Sequence, residues 1–311
     1  MTITQPQSRR IVCMGEAMVE MAPSAASGDY KMGFAGDTLN TAWYLQRAVS
    51  GGAVTGWTVD YLTAVGQDAV SDRLVRFIGD AGIGTEHVAQ VPGRTVGLYL
   101  IELKDGERSF SYWRGQSAAR LLADDATRLA QAFDGAGIVY LSGITLAVLE
   151  GEGRANLYAA LTQARAAGAR VVFDPNLRPR LWPDTAVMCR VVMEAARLSD
   201  IVLPSHEDEA AFFGDADVQA TADRYANAGA GLVVVKNGGG EMLTRDGVTY
   251  ARHAPEVVDR IVDTTAAGDS FNAGFLAAWL AGGDVAASVR SGARLAAQVI
   301  GQRGALCEVS G

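Results

Sequence analysis

The feature that most narrows the fold is an alternation. Short apolar runs recur at residues 10–14, 54–66, 138–143, 170–174, 201–204 and 232–236, and segments with helical spacing separate them at 41–49, 68–81 and 153–167. A run that is apolar at every position, such as Leu232-Val233-Val234-Val235, reads as a strand buried on both faces. Strands of that kind alternating with helices predict an α/β fold. It is a three-layer sandwich with a mostly parallel central sheet and helices on both sides. In such sheets ligands bind beyond the carboxyl ends of the strands. Segments 174–182, 205–209 and 236–240 are therefore expected to converge.

Two regions depart from the pattern. Residues 16–34 alternate loosely and carry Pro23, Ser24, Gly28 and Asp29, which predicts an antiparallel excursion. Residues 96–103 and 108–114 also alternate, and Lys104-Asp105-Gly106-Glu107 joins them as a hairpin turn. Inserted segments of about 16–35 and 94–115 should thus build a small β-sheet lid beside the main sheet. With 311 residues, 49% of them hydrophobic, and no repeat or linker, the whole span 1–311 reads as one domain.

The chemistry concentrates in Asp263-Thr264-Thr265-Ala266-Ala267-Gly268-Asp269, just ahead of the apolar run 271–280. Within that run Phe271, Phe275, Ala278 and Trp279 share a helical face, so the small residues fall at a helix N-terminus. The first N–H groups of a helix lack intrahelical partners and its dipole is positive there, which suits an anion. Asp269 sets a carboxylate beside that anion hole. The pair suits phosphoryl transfer, the amides taking charge and the carboxylate taking a hydroxyl proton. The plainer alternative makes Asp263 or Asp269 a helix cap and Gly268 a turn residue. A second glycine-containing turn, at 33–40, opens the helix at 41–49, and Asp37 or Thr38 is expected to cap it.

Composition excludes several classes. The formal net charge of −8 and sequence pI near 5.0 argue against nucleic acid and anionic membranes, both of which attract basic patches. Cys13, Cys189 and Cys307 are odd in number and lack metal-ligand spacing, as expected of a reducing, cytoplasmic compartment. Residues 1–10 lack an apolar signal core and residues 1–9 read as a loose tail. No uncharged apolar run reaches membrane-spanning length. Neither a P-loop nor a dinucleotide fingerprint occurs, so any nucleotide must be held another way, with Lys236-Asn237-Gly238-Gly239-Gly240 as one bare-backbone candidate. The acidic run Glu207-Asp208-Glu209 opens a helix, a common dipole complement.

The 263–269 stretch resembles the C-terminal signature of the ribokinase-like carbohydrate kinases, with Ala266 where a glycine is usual. Alanine there is expected to need a negative φ. Residues 33–40 resemble the same family's N-terminal signature. The resemblance covers about residues 10–305. Several stretches are most similar to the branch that phosphorylates the sugar acid 2-keto-3-deoxygluconate: Gly15-Glu16-Ala17-Met18, Gly36-Asp37-Thr38-Leu39-Asn40-Thr41, Tyr112-Trp113-Arg114, Leu141-Ser142-Gly143-Ile144 and 176–182. The resemblance implies ATP and Mg2+ as cofactors and sugar bound between lid and sheet. By position it puts sugar contacts on Gly36, Asn40, Tyr99, Tyr112, Arg114, Ile144 and Arg178. Nucleotide contacts fall on Asn176, Arg178, Lys236, Gly238, Gly240 and the amides of 266–269. Asp269 becomes the base, with Gly268, Ala267 and Ala266 forming the anion hole. The family usually has Asn-x-x-Glu near magnesium; Ser205-His206-Glu207-Asp208 departs from it, leaving Asp208 or Glu207 to reach the metal through water.

A sugar acid brings a carboxylate, for which the planar fork of arginine is a fitting partner, and Arg114 and Arg178 are the candidates. A kinase for fructose, ribose or a nucleoside, and a non-catalytic sugar-binding regulator, remain as alternatives. An intact Asp269 argues against the regulator. Exposed lid edges predict a homo-oligomer paired through the lid. Dependence on a monovalent cation is open.

Overall fold

Every residue of the first strand is apolar after Arg10, and the structure shows why both parities are needed. In this computed structural model, which describes residues 6, 8–24, 28–104 and 107–309 (side chains of 103, 104, 107 and 108 excepted), Ile11 and Cys13 enter one core while Val12 and Met14 enter the other. Most of the 1–9 tail, and the Asp105-Gly106 turn, lie outside the described residues.

The strands are β1 (Arg10–Met14), β2 (Met18–Pro23), β3 (Tyr30–Ala35), β4 (Thr58–Val65), β5 (Val88–Gln90), β6 (Gly97–Lys104), β7 (Glu107–Trp113), β8 (Ile138–Ser142), β9 (Arg170–Asp174), β10 (Ile201–Val202), β11 (Leu232–Val235), β12 (Met242–Asp246) and β13 (Thr249–His253). The helices are α1 (Asp37–Ser50), α2 (Ala69–Asp80), α3 (Ala126–Phe133), α4 (Gly143–Val148), α5 (Gly153–Ala166), α6 (Thr185–Arg197), α7 (His206–Phe213), α8 (Val218–Ala228), α9 (Ala267–Leu280) and α10 (Val285–Ile300). Nine strands form one sheet in the order β13-β12-β11-β10-β9-β8-β1-β4-β5, and β3-β2-β6-β7 form a second. From β11 to β5 every pairing in the large sheet is parallel. The carboxyl ends at Met14, Ser142, Asp174, Val202 and Val235 therefore share one edge, and residues from that edge line the cleft.

The predicted 54–66 strand is shorter, because the chain turns through 51–56 before β4. The hairpin β12–β13 is not among the strands expected from the sequence, although Asp246-Gly247 carries a hairpin signal. It pairs antiparallel on the sheet's edge, where β13 is mostly exposed and shows no apolar run. Among the described residues, no helix is long and apolar enough to cross a membrane.

The face shared by Phe271, Phe275, Ala278 and Trp279 is only part of what the helix buries. Helix α9 is buried nearly all round, since it lies between α1 and α10, and Ser270 and Asn272 are buried with the apolar residues. A helix apolar on all sides belongs in the interior.

Candidate active site

The two turns singled out in the sequence meet through their helices. Asn40 in the first turn of α1 donates from Nδ2 to Asp269 Oδ2 in the first turn of α9, at 2.8 Å. One residue further, Thr41 Oγ1 donates to the Asp269 carbonyl at 3.1 Å. The helix N-cap of α1 is Gly36 and makes no side-chain bond, so the expected caps Asp37 and Thr38 lie inside the helix. Thr38 instead meets the Tyr61 hydroxyl at 2.9 Å, and Asp37 accepts from Asn176 Nδ2 at 2.9 Å. Gly36 needs its hydrogen side chain, because a Cβ there would stand 2.3 Å from the Glu16 carbonyl oxygen.

Ala266 overturns a second expectation. Its φ is +60°, in the left-handed region, not negative. An alanine there costs about 1–2 kcal/mol relative to the right-handed region. The α9 N-terminus is also narrower as an anion site than supposed, since the Ala267 amide donates to Thr264 O at 3.2 Å. Among the described residues the Gly268 and Asp269 amides have no carbonyl partner, as the first turn of a helix requires.

Behind Asp269 lies a buried polar network that the sequence reading missed. Lys236 Nζ donates to Asp174 Oδ2 at 2.8 Å and to Asn272 Oδ1 at 3.1 Å. Asn272 Nδ2 donates to the same Asp174 oxygen at 2.6 Å and to the Tyr140 hydroxyl at 2.9 Å. Asp174 ends the buried strand β9 and Asn272 is polar within an apolar helix, which are the signals that could have found them. Lys236, expected at a nucleotide, is only 7% exposed and sits 3.5 Å from where a Gly268 Cβ would be. Asn176 adopts φ +36°, with its amide on Asp174 Oδ1 at 3.1 Å, so its side chain and backbone are already committed.

Three carboxylates thus crowd one end of the cleft. Loss of water around Asp269, then repulsion from Asp37 and Asp174, push its pKa well above the aspartate range, while the Asn40 bond and Lys236 oppose the rise. Burial raises Asp37 in the same direction.

The cleft itself measures about 1100 Å³. Of the predicted residues it is lined by Gly36, Asn40, Tyr99, Tyr112, Arg114, Ile144, Asn176, Arg178, Asp208, Lys236, Ala266, Ala267, Gly268 and Asp269. Gly238, Gly240 and Glu207 are not among its lining; Glu207 is exposed and the two glycines belong to the β11–β12 turn. The small sheet contributes Tyr99, Phe110 and Tyr112, whose rings lie 5.9–6.3 Å apart. Both candidate arginines are already paired. Arg114 Nη2 bonds Glu16 Oε2, and Arg178 Nη1 lies 3.5 Å from Asp208 Oδ2 and donates to Leu177 O at 2.7 Å. Asp208 is raised by burial, with Arg178 acting against the rise. Among the described residues, Arg180 is a cleft arginine without an ion pair.

An open helix terminus, a carboxylate beside it and a cleft between two sheets can hold an anionic group against a hydroxyl. The chain is 36% identical over 305 residues to a protein from Escherichia coli K12 described as 2-dehydro-3-deoxygluconokinase, covering 96% of this chain and 97% of that one. A PfkB protein from Polaromonas sp. JS666 superposes with a TM-score of 0.81 at 26% identity, covering 94% of this chain and 96% of that one. A fructokinase with bound ATP from Xylella fastidiosa shares the fold, with a TM-score of 0.82 at 24% identity over 96% and 94% of the two chains. The model of pfkB family carbohydrate kinases matches residues 8–308, and the chain belongs to that family.

Proposed function

We propose that this chain transfers the γ-phosphoryl group of ATP to the 6-hydroxyl of 2-keto-3-deoxygluconate, the sugar acid also called 2-dehydro-3-deoxygluconate. The observation that carries the reading is the placement of Asp269: its carboxylate and the amides of Gly268 and Asp269, which have no carbonyl partner among the described residues, belong to the lining of the cleft that Arg114 also lines. The substrate hydroxyl gives its proton to Asp269 as its oxygen bonds the γ-phosphorus, and the bond from that phosphorus to the bridging oxygen breaks to release ADP. The amides take charge developing on the transferred group. The raised pKa of Asp269 matches a general base working near neutral pH. Likeness to the Escherichia coli 2-dehydro-3-deoxygluconokinase supports the choice of sugar acid.

In this reading the whole chain, 1–311, is one kinase domain, and the small sheet is its lid over the sugar. Gly36, Asn40, Tyr99, Tyr112, Ile144 and the two arginines face the sugar; Asn176, Lys236 and the 236–240 turn lie toward the nucleotide. The donor set fits a magnesium ion only as one carried largely by phosphates and water, because Asp208, half-buried on the cleft, already faces Arg178 and no cluster of three metal-ligating groups exists among the described residues. When bound, such an ion would neutralise phosphate charge. All three cysteines are free, in keeping with the cytoplasm, where ATP is made. A second copy pairing across the lid would cover Trp113, which is 60% exposed at the end of β7. Light scattering on the wild type and on Trp113→Lys tests that pairing.

One observation favours a neutral sugar instead: both arginines already face an acid, so the cleft offers little net positive charge. Measuring ATP turnover on 2-keto-3-deoxygluconate, fructose and ribose decides between them. The proposal expects the sugar acid to lead in kcat/KM, with Arg114→Ala raising its KM about ten- to a hundredfold. Faster turnover of fructose or ribose by the unmodified enzyme would sink it.

A further inference from the structure

Glu16 follows β1 and is 1% exposed, yet it lines the cleft. One carboxylate oxygen accepts from Arg114 Nη2. Among the described residues the other, Oε1, has no hydrogen-bond partner, and neither has Arg114 Nε, although both atoms are buried. An orphaned acceptor and an orphaned donor on one ion pair are costly unless a ligand completes them. Gly97, at the start of β6, makes the arrangement possible. A Cβ on it would stand 2.7 Å from Glu16 Oε1 and 3.2 Å from the Arg114 Cβ.

We infer that Glu16 is a positioning and specificity-determining residue: it holds Arg114 by Nη2, leaves Nε for a substrate oxygen, and takes a substrate hydroxyl on its own Oε1. The inference rests on the proposed sugar-acid reading and deepens it. The pair is close to neutral as a unit, so it selects by pattern, an acceptor oxygen next to a hydroxyl, rather than by charge alone. A sugar with a carboxylate or keto oxygen near a hydroxyl meets that pattern. The length of Glu16 matters too. An aspartate is one methylene shorter and would not reach the guanidinium from the same backbone.

Three variants test this: Glu16→Gln, Glu16→Asp and Gly97→Ala. Gln keeps one acceptor for Nη2 but puts an amide NH2 in place of the Oε1 acceptor, so Glu16→Gln should raise sugar KM several-fold. Glu16→Asp and Gly97→Ala keep the charge but displace it, and should raise sugar KM about tenfold or more. In all three, ATP KM should stay near wild type and the melting temperature should be compared. A merely structural role predicts the reverse: lost stability with no split between sugar KM and ATP KM. Gly97→Ala serves as the check if Glu16→Asp folds poorly. The enzyme is assayed on whichever sugar the wild type turns over best. A neutral sugar in that place ends the sugar-acid reading, but the Glu16 role still requires the same KM split on it. Unchanged sugar KM in both Glu16→Asp and Gly97→Ala overturns the role whichever sugar is used.

Discussion

Asn40 and Asp269 are 229 residues apart in the chain and 2.8 Å apart in space, joined Nδ2 to Oδ2. The bond places the proposed base against the first turn of α1, so one carboxylate oxygen is oriented and the other is left for the cleft. It also supplies a donor that partly offsets the repulsion Asp269 receives from Asp37 and Asp174.

Asp269→Asn should lower kcat by about 10²–10⁴-fold, the usual contribution of a general base, and leave the ATP Kd nearly unchanged. The amides of 268 and 269 survive the change. Single-turnover kinetics and nucleotide titration check both halves. A kcat within a few-fold of wild type removes Asp269 from its role.

The pH profile should carry the three-carboxylate cluster. A base must be deprotonated, so kcat/KM should rise with pH through the raised pKa of Asp269 and fall away below it. Repulsion from Asp37 is the second-largest cause of that rise. Asp37→Asn removes the repulsion and should move the acid limb to lower pH. A limb that stays fixed, or moves up, separates the limb from Asp269.

Ala266→Gly should leave kcat and stability near wild type. Relief of about 1–2 kcal/mol of left-handed strain is offset by about 0.5–1 kcal/mol of unfolded-chain entropy and by a lost methyl contact with the small-sheet core. Ala266→Val, β-branched at positive φ, should destabilise by more than about 2 kcal/mol. Denaturant midpoints of the two variants test the backbone geometry directly.

The Lys236–Asp174 pair is buried, so removing one partner strands the other. Lys236→Met should cost about 3–5 kcal/mol of stability. The double change with Asp174→Leu should cost less than the sum of the single ones, because no lone charge is then left inside. Additive losses would show that the pair is not coupled.

Much of this was legible in the chain. Short runs apolar at both parities and rich in β-branched residues read as strands covered on two faces, so the parallel sheet and its helices followed from run length and burial. The hairpin of β6 and β7 followed from alternation and turn chemistry. The Gly-rich turn before α1 and the small-residue turn before α9 marked the candidate site, because open helix termini need small residues. The β12–β13 hairpin did not show, since an edge pair needs no apolar run.

Tertiary structure decided what each polar group is free to do. Position in sequence offered Arg114, Arg178, Asn176 and Lys236 as ligand contacts, but only packing shows that Glu16, Asp208, Asp37 and Asp174 already hold them. It likewise set Ala266 at positive φ and spent the Ala267 amide on Thr264. The physical reason is range. Strand and helix follow from local periodicity and burial, which neighbours in sequence express. The partner of a charge, and the pKa that results, depend on groups brought within a few ångströms from opposite ends of the chain.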